Sequence, residues 1–123
     1  MHEDIFTRKI IEETLHMYLK RFRIKSIDQI RDNDMNSPKE KILLACIKDF
    51  CSFQIDFDLF ISILGAIRII NPEKFDPLKQ TPIEELCFHS LELQWYIRND
   101  PEKYMHQLTK LYDYYKRNRM KLG

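Results

Sequence analysis

Apolar and polar residues follow each other along this chain with the three- and four-residue spacing of amphipathic α-helices. The pattern predicts helices over residues from about 3 to 22, 38 to 53, 82 to 98 and 101 to 119. The last of these shows the spacing most clearly, because its apolar stripe runs through Tyr104, Leu108, Leu111 and Tyr115. These four segments favour a helical bundle over any fold that contains a sheet.

The segment from residue 53 to residue 70 allows two interpretations. Every second residue from Phe53 to Ile63 is apolar, as in a β-strand. The same stretch also fits one face of a helix through Phe57, Phe60, Ile61, Leu64 and Ile67. A strand here would have no partner, because no other segment alternates, and we therefore predict a helix capped by Asp56. This helix is apolar almost all round, which is expected of a central buried helix or of one shared with a partner chain.

Five prolines mark where helices or turns begin. Each follows a residue that is favoured at a helix N-cap, in the pairs Ser37-Pro38, Asn71-Pro72, Asp76-Pro77, Thr81-Pro82 and Asp100-Pro101. Glu40 and Glu84 complete capping boxes at two of these starts, and Ser26 with Gln29 forms a third box that predicts a short helical turn. Residues 32–36 are predicted to form a polar loop, and residues 71–80 a connector with two proline turns.

Length and composition agree with this pattern. The 123 residues, 44% of them hydrophobic, suffice for one core but not for two. With only two glycines, the chain has no glycine-rich phosphate loop and no glycine-dependent hairpin turn. We therefore predict a single all-α domain over residues 1–123, a compact bundle of four main helices with one or two short accessory helices.

Charge and cysteine content bear on location and partners. Twenty Lys and Arg against 19 Asp and Glu give a net charge of +1, which provides no overall field toward nucleic acid or a membrane. The longest apolar run, Leu59 to Ile70, is interrupted by Ser62 and Arg68 and is too short to span a bilayer. No signal peptide is visible, and three cysteines without a CxxC motif are typical of reduced thiols. The sequence therefore predicts a cytoplasmic protein without a membrane partner.

No arrangement of residues predicts catalysis or metal binding. Residues 32–36 place oxygen ligands at alternate positions, but the glycine and the bidentate glutamate of a calcium loop are missing. The Glu-x-x-His spacing of Glu13 and His16 occurs once, whereas a di-iron bundle needs it twice. Cys87 and His89, two residues apart on a helix, point to different faces and form no nucleophile–base pair. We predict no catalytic residue, no metal site and no cofactor.

The leading functional hypothesis is a small non-enzymatic protein that binds another protein or a second copy of itself. The predicted central helix carries more apolar surface than a peripheral helix needs, and tryptophan is a residue type that dominates interface energetics. The predicted partner-binding residues are Phe57, Phe60, Ile61, Leu64 and Trp95. Adaptors, immunity proteins, antitoxins and scaffold subunits share this profile at the level of the fold alone.

The alternative hypothesis is a helical subunit that contacts RNA or DNA through its basic C-terminal helix. A tyrosine among cations is suited to stack on a base while the cations neutralise phosphates. The predicted nucleic-acid-binding residues are Lys110, Tyr114, Lys116, Arg117, Arg119 and Lys121. Of the three neighbouring tyrosines, Tyr112 and Tyr115 belong to the predicted apolar stripe, and Tyr114 is expected to be free.

Overall fold

Six α-helices and two short 3-10 turns form the part of the chain that a computed structural model describes, which comprises residues 5–30, 38–69 and 81–122. The helices are α1 (Ile5–Arg21), α2 (Pro38–Cys51), α3 (Phe57–Ile69), α4 (Pro82–His89), α5 (Leu93–Asn99) and α6 (Pro101–Leu122). The 3-10 turns cover Ile27–Ile30 and Ser90–Glu92. These ranges contain no strand, and the all-α prediction is confirmed. The predicted loop at 32–36 and connector at 71–80 lie outside the described residues.

The ambiguous segment is a helix, α3, and three other helices pack around it. Asp56 caps it as predicted, since its Oδ1 accepts a hydrogen bond of 2.8 Å from the Leu59 amide. The helix contacts α1, α2 and α4. Six of its thirteen residues are buried, namely Phe60, Ile61, Ile63, Leu64, Ala66 and Ile67. The phenyl rings of Phe50 in α2 and Phe60 stack with their centroids 4.3 Å apart. The alternating pattern is thus accommodated by a helix that is buried over most of its circumference.

The first helix buries the face that its spacing predicts. Ile11, Leu15 and Tyr18 are at most 2% exposed. The Tyr18 hydroxyl donates a buried hydrogen bond of 2.8 Å to Oδ2 of Asp49 in α2. The guanidinium of Arg21 donates to the same oxygen at 3.2 Å. These bonds satisfy a buried carboxylate, which would otherwise be costly to keep out of water, and they fix α1 against α2.

The predicted short turn after α1 is confirmed. The Gln29 side-chain oxygen accepts from the backbone amides of Lys25 and Ser26, at 2.9 and 3.4 Å. The Ser26 hydroxyl in turn accepts from the Asp28 amide at 3.2 Å. Two isoleucines of the turn, Ile27 and Ile30, are buried in the core. A short capped segment thereby closes one side of the bundle.

A 3-10 turn at Ser90–Glu92 interrupts the helix predicted from residue 82 to residue 98. The Ser90 hydroxyl donates to the Leu86 carbonyl at 2.9 Å, a bond that competes with the helical ladder and bends helices. The buried amide of Gln107 in α6 donates to the same carbonyl at 3.3 Å and to the Ser90 hydroxyl oxygen at 3.1 Å. Gln107 of α6 therefore adds two hydrogen bonds at the interruption.

None of the described helices is both long enough and apolar enough to cross a bilayer.

The burial of α3 gives a direct test of the fold. Leu64 is 0% exposed, whereas Leu59, five residues earlier in the same helix, is 38% exposed. We expect Leu64→Ala to lower the free energy of unfolding by about 2–5 kcal/mol, because it removes buried apolar area and leaves a cavity. Urea denaturation followed by circular dichroism measures the change. The matched control, Leu59→Ala, should cost about 1 kcal/mol or less; equal losses for the two variants would contradict the buried placement of α3.

Candidate functional site

An open cleft between the start of α3 and α5 carries the only tryptophan of the chain. Its volume is about 840 Å³, and it is lined by Phe57, Asp58, Gln94, Trp95, Ile97, Arg98 and Asn99. Trp95 is 60% exposed and Ile97 is 48% exposed. Isolated exposed apolar side chains are common, whereas an exposed tryptophan next to an exposed isoleucine in a cleft is a less usual arrangement, which makes this cleft a candidate site. We refer to these seven residues as the Trp95 cleft.

The phenylalanine that lines the Trp95 cleft packs against the core. Phe57 is half-buried, and its ring centroid lies 6.4 Å from that of Phe50 and 6.4 Å from that of Tyr104. The Phe57–Tyr104 pair meets edge to face, an arrangement that aromatic quadrupoles favour. The face that Phe57 offers to the cleft is therefore positioned by its contacts with Phe50 and Tyr104.

Short helix α5 holds Trp95 in place through its two ends. Leu93 is fully buried and anchors the first turn. At the other end, the Asp100 amide donates to the Tyr96 carbonyl at 2.8 Å, while Oδ1 of Asp100 accepts from the Lys103 amide at 3.3 Å and caps α6. The side-chain amide of Asn99 also donates to the Trp95 carbonyl at 2.9 Å. Buried Leu93 and these hydrogen bonds thus position the backbone that carries the tryptophan.

One acidic and one basic side chain border the apolar part of the cleft. Asp58 and Arg98 are both exposed, and within the described part of the chain neither takes part in an ion pair. Arginine at the edge of an apolar patch is typical of protein interfaces, where it can pair bidentately with a carboxylate. The cleft therefore presents an apolar centre with charges of both signs at its edge.

The predicted partner-binding residues lie in two different places. Phe57 and Trp95 line the cleft. Phe60, Ile61 and Leu64 are 0%, 6% and 0% exposed, and a partner could reach them only if the core opened. Burial within this chain accounts for their apolar character, so the surface available for binding is smaller than the sequence pattern indicates.

Ile97 and Arg98 belong to the cleft but not to the predicted set. In one continuous helix, Ile97 would lie on the same face as Leu86 and Leu93, directed into the core. In the structure a 3-10 turn at Ser90–Glu92 separates α4 from α5. Within α5, Leu93 is buried, whereas Ile97, one turn later, is 48% exposed because no described helix covers it. The hydroxyl of Ser90 and the buried amide of Gln107 are the only sequence signals of this turn, and apolar spacing does not contain them.

Three of the predicted basic residues of α6 have described side chains. Lys110, Lys116 and Arg117 are exposed, and Lys110 lines a separate cleft of about 310 Å³ with His89, Glu92, Tyr96, Lys103, His106 and Gln107. The side chains of Arg119 and Lys121 lie outside the described residues. The expectation that Tyr114 is free is wrong, because all three tyrosines pack against the core. Burial, followed by the charges of Glu40 and Cys87, raises the pKa of Tyr114.

A buried ionic cluster joins the starts of α2 and α4. Its four side chains, Lys39, Glu40, Thr81 and Glu84, are 3–8% exposed. Nζ of Lys39 lies 3.1 Å from Oε2 of Glu84. The Thr81 hydroxyl lies 3.1 Å from Oε2 of Glu40 and 3.2 Å from Oε1 of Glu84, and its single proton can be donated to only one carboxylate at a time. Both glutamates occupy the third helical position of a predicted capping box, and we call this group the capping cluster.

The capping cluster is suited to hold two helix starts together, and it shifts the acidity of its members. Burial raises the pKa of Glu40. The hydrogen bond from Thr81 lowers this pKa, the negative charge of Glu84 raises it, and the positive charge of Lys39 lowers it. Glu40 and Lys39 also make further interactions of their own. The nearby thiol of Cys87 is fully buried, and burial followed by the charges of Cys46, Glu40 and Glu84 raises its pKa.

The thiols are not activated for nucleophilic chemistry. Cys46, Cys51 and Cys87 are all buried and unpaired. Burial raises the pKa of Cys51 to about 12 and raises the pKa of Cys46 well above its ordinary range. A reactive cysteine needs a lowered pKa and access to solvent. Among the residues whose side chains are described, no three His, Cys, Asp or Glu groups converge as metal ligands.

No protein-family model, curated protein or solved structure is significantly similar to this chain.

The raised pKa of Glu40 predicts a specific pH dependence of stability. The carboxyl group of Glu40 holds its proton more tightly in the folded state than in the unfolded chain. Its contribution to the free energy of unfolding is therefore largest at low pH. That contribution is lost as the pH rises from 4.5, the ordinary pKa, through the raised pKa of the folded state. In Glu40→Gln the amide oxygen of glutamine can still accept a hydrogen bond from the Thr81 hydroxyl, and the side chain does not ionise. We therefore expect its stability relative to the wild-type chain to increase between pH 4 and pH 8, as measured by urea denaturation.

A matched control is Glu85→Gln, which changes an exposed glutamate in the first turn of α4. Its stability relative to the wild-type chain should change much less over the same pH interval. If Glu40→Gln became less stable than the wild-type chain as the pH rises, the assigned direction of the pKa shift would be wrong.

Proposed function

We propose that this chain is a non-enzymatic protein-binding module that docks another protein on the Trp95 cleft. The observation that carries the proposal is the 60% exposure of the chain's only tryptophan, in a cleft with a fixed phenylalanine and an exposed isoleucine. A tryptophan in such a position contributes more to binding than to folding, because its ring is desolvated only when a partner covers it.

The chemistry of the cleft indicates what the partner presents. An apolar side chain would fit against Phe57 and Trp95, which together offer two aromatic faces. An acidic group of the partner would pair with Arg98, and a basic group with Asp58. The net charge of +1 is too small to steer association over long distances, so these two charges set orientation rather than the association rate.

The contacts that hold the cleft residues support binding without a conformational change. Leu93 and the Asp100 bonds hold α5, and the core holds Phe57. A preorganised surface loses little side-chain and backbone entropy when it binds. Three buried, unpaired thiols are compatible with a reducing compartment, and we propose that this binding takes place in the cytoplasm.

Photo-crosslinking identifies the partner without assuming its identity. A photoreactive amino acid at Gln94, which lines the cleft, should form an adduct with one protein in cells of the source organism. The same amino acid at Lys116, an exposed position of α6 outside the cleft, is the matched control. Equal adducts from the two positions, or none from Gln94, would contradict docking on the cleft.

The affinity of the crosslinked protein then tests the role of Trp95. We expect Trp95→Ala to weaken binding tenfold or more in calorimetry, since truncated hot-spot tryptophans have effects of this size. Stability should change by about 1 kcal/mol or less, because the ring is mostly exposed. Met105→Ala, which truncates another side chain that is 59% exposed, should leave the affinity unchanged. Fluorescence of the wild-type tryptophan should shift to shorter wavelengths when the partner covers it.

A further inference from the structure

A cleft of about 310 Å³ between the α4–α5 segment and α6 is lined by side chains that are all polar or ionisable. Six of them form its walls: His89, Glu92 and Tyr96 on one side, and Lys103, His106 and Lys110 of α6 on the other. Five of the six are exposed, and Tyr96 is partly buried. We call it the His106 cleft, and it shares no residue with the Trp95 cleft. Its composition favours a polar ligand over an apolar one.

The two walls of the His106 cleft contact each other. Nζ of Lys103 lies 5.8 Å from the ring centroid of Tyr96, and the Tyr96 hydroxyl donates to Oε2 of Glu92. On α6, Lys103, His106 and Lys110 follow one another at spacings of three and four residues, which places them on one face of the helix. One wall of the cleft is therefore a row of three basic side chains.

Gln107 forms the floor of the His106 cleft and brings a hydrogen-bond acceptor to it. The residue is 7% exposed and lines the cleft. Its Nε2 donates to the Leu86 carbonyl at 3.3 Å and to the Ser90 hydroxyl oxygen at 3.1 Å, which uses both amide protons. Within the described part of the chain, no group donates to Oε1 of Gln107. A buried acceptor without a donor is unfavourable, so a ligand that donates to this oxygen would be favoured.

Hydrogen-bond donors outnumber acceptors on the walls. Two lysines and one glutamate give the lining a charge of +1 when both histidines are neutral, and each neutral imidazole still offers one N–H. The carboxylate of Glu92 already accepts from Tyr96. Asp100, outside the lining, lies 3.8 Å from Nζ of Lys103, whereas no described carboxylate pairs with Lys110. These donors are suited to an anion that presents several oxygens.

A phosphate group matches these donors better than a carboxylate does. A phosphomonoester presents three strong acceptor oxygens in a tetrahedral arrangement, whereas a carboxylate presents two in one plane. Because the donors stand on both walls, a tetrahedral group can bond to both at once. The volume of about 310 Å³ lies at the lower end of the range for small-molecule sites, about 300–1,000 Å³. The ligand is therefore small.

We infer that the His106 cleft binds a small phosphomonoester that also carries a hydroxyl group. The lysines and histidines of the walls bind the phosphate group, and the hydroxyl donates to Oε1 of Gln107. The inference does not rest on the Trp95 cleft, since the two sites have no residue in common. A phosphorylated ligand and a protein partner can accordingly bind to one chain at the same time.

Calorimetric titration of the full-length chain with glycerol 3-phosphate tests the inference. We expect one saturable site per chain. Methyl phosphate, which has no hydroxyl group to donate to Gln107, should bind about fivefold more weakly, and glycerol, which has no phosphate, should not bind. In NMR spectra the ring-proton signals of His89 and His106 should shift on binding. The signal of His16, an exposed histidine of α1, should stay in place.

Variants of α6 separate the His106 cleft from a general attraction of anions to exposed cations. Lys110→Gln and His106→Ala should each weaken the binding of glycerol 3-phosphate about tenfold, because each removes a donor to the phosphate group. Lys116→Gln, the matched control, changes an exposed lysine of the same helix outside the cleft and should leave the affinity unchanged. All three positions are exposed, and unchanged circular dichroism would show that the variants remain folded.

Four results would overturn the inference. They are the absence of saturable binding of glycerol 3-phosphate, equal losses of affinity in Lys110→Gln and Lys116→Gln, equal affinities for methyl phosphate and glycerol 3-phosphate, and binding of a single-stranded oligonucleotide without binding of the phosphomonoester. The last of these would assign the cations of α6 to a nucleic-acid backbone instead.

Discussion

The burial of α3 determines which surfaces of this chain remain for binding. Its apolar residues are enclosed by α1, α2 and α4, and the stacked rings of Phe50 and Phe60 lie at the centre of that contact. Apolar surface used in the core is not available to a partner. The apolar residues of α3 that keep exposed area include Leu59, Phe57 at its start, beside α5, and Ile69 at its end, beside α1. The proposed docking on the Trp95 cleft uses Phe57.

Polar contacts position the helices that surround α3. Tyr18 and Arg21 share the buried carboxylate of Asp49 and fix α1, and the capping cluster fixes α2 against α4. Because an unpaired buried charge costs several kcal/mol, these contacts specify the relative placement of helices that apolar packing alone would leave less defined.

Local sequence signals predicted the elements better than the site. The N-caps at Asp56, Thr81 and Asp100 and the turn at Ser26 form as expected, because a cap depends only on residues three positions away. Two features depend on residues that are distant in the sequence. One is the meeting of the two capping glutamates in one cluster, and the other is the contact of Gln107 with the helix interruption at Ser90. The same limit explains Tyr114 and Ile97: whether a residue on a helix faces core or solvent is decided by neighbouring helices. Trp95 was predictable from its residue type alone.

Hydrogen exchange of the α3 amides in the free protein tests the central claim most directly. If α3 is the buried centre of the bundle, the amides from Phe60 to Ile67 exchange only through global unfolding. Their free energies of exchange then equal those of the buried α2 amides from Ile42 to Ile47 and match the stability from denaturation. Exchange of the α3 amides at a clearly lower free energy would show that α3 leaves the core in the native state. The apolar face of α3 would then be open to a partner, contrary to the account given above.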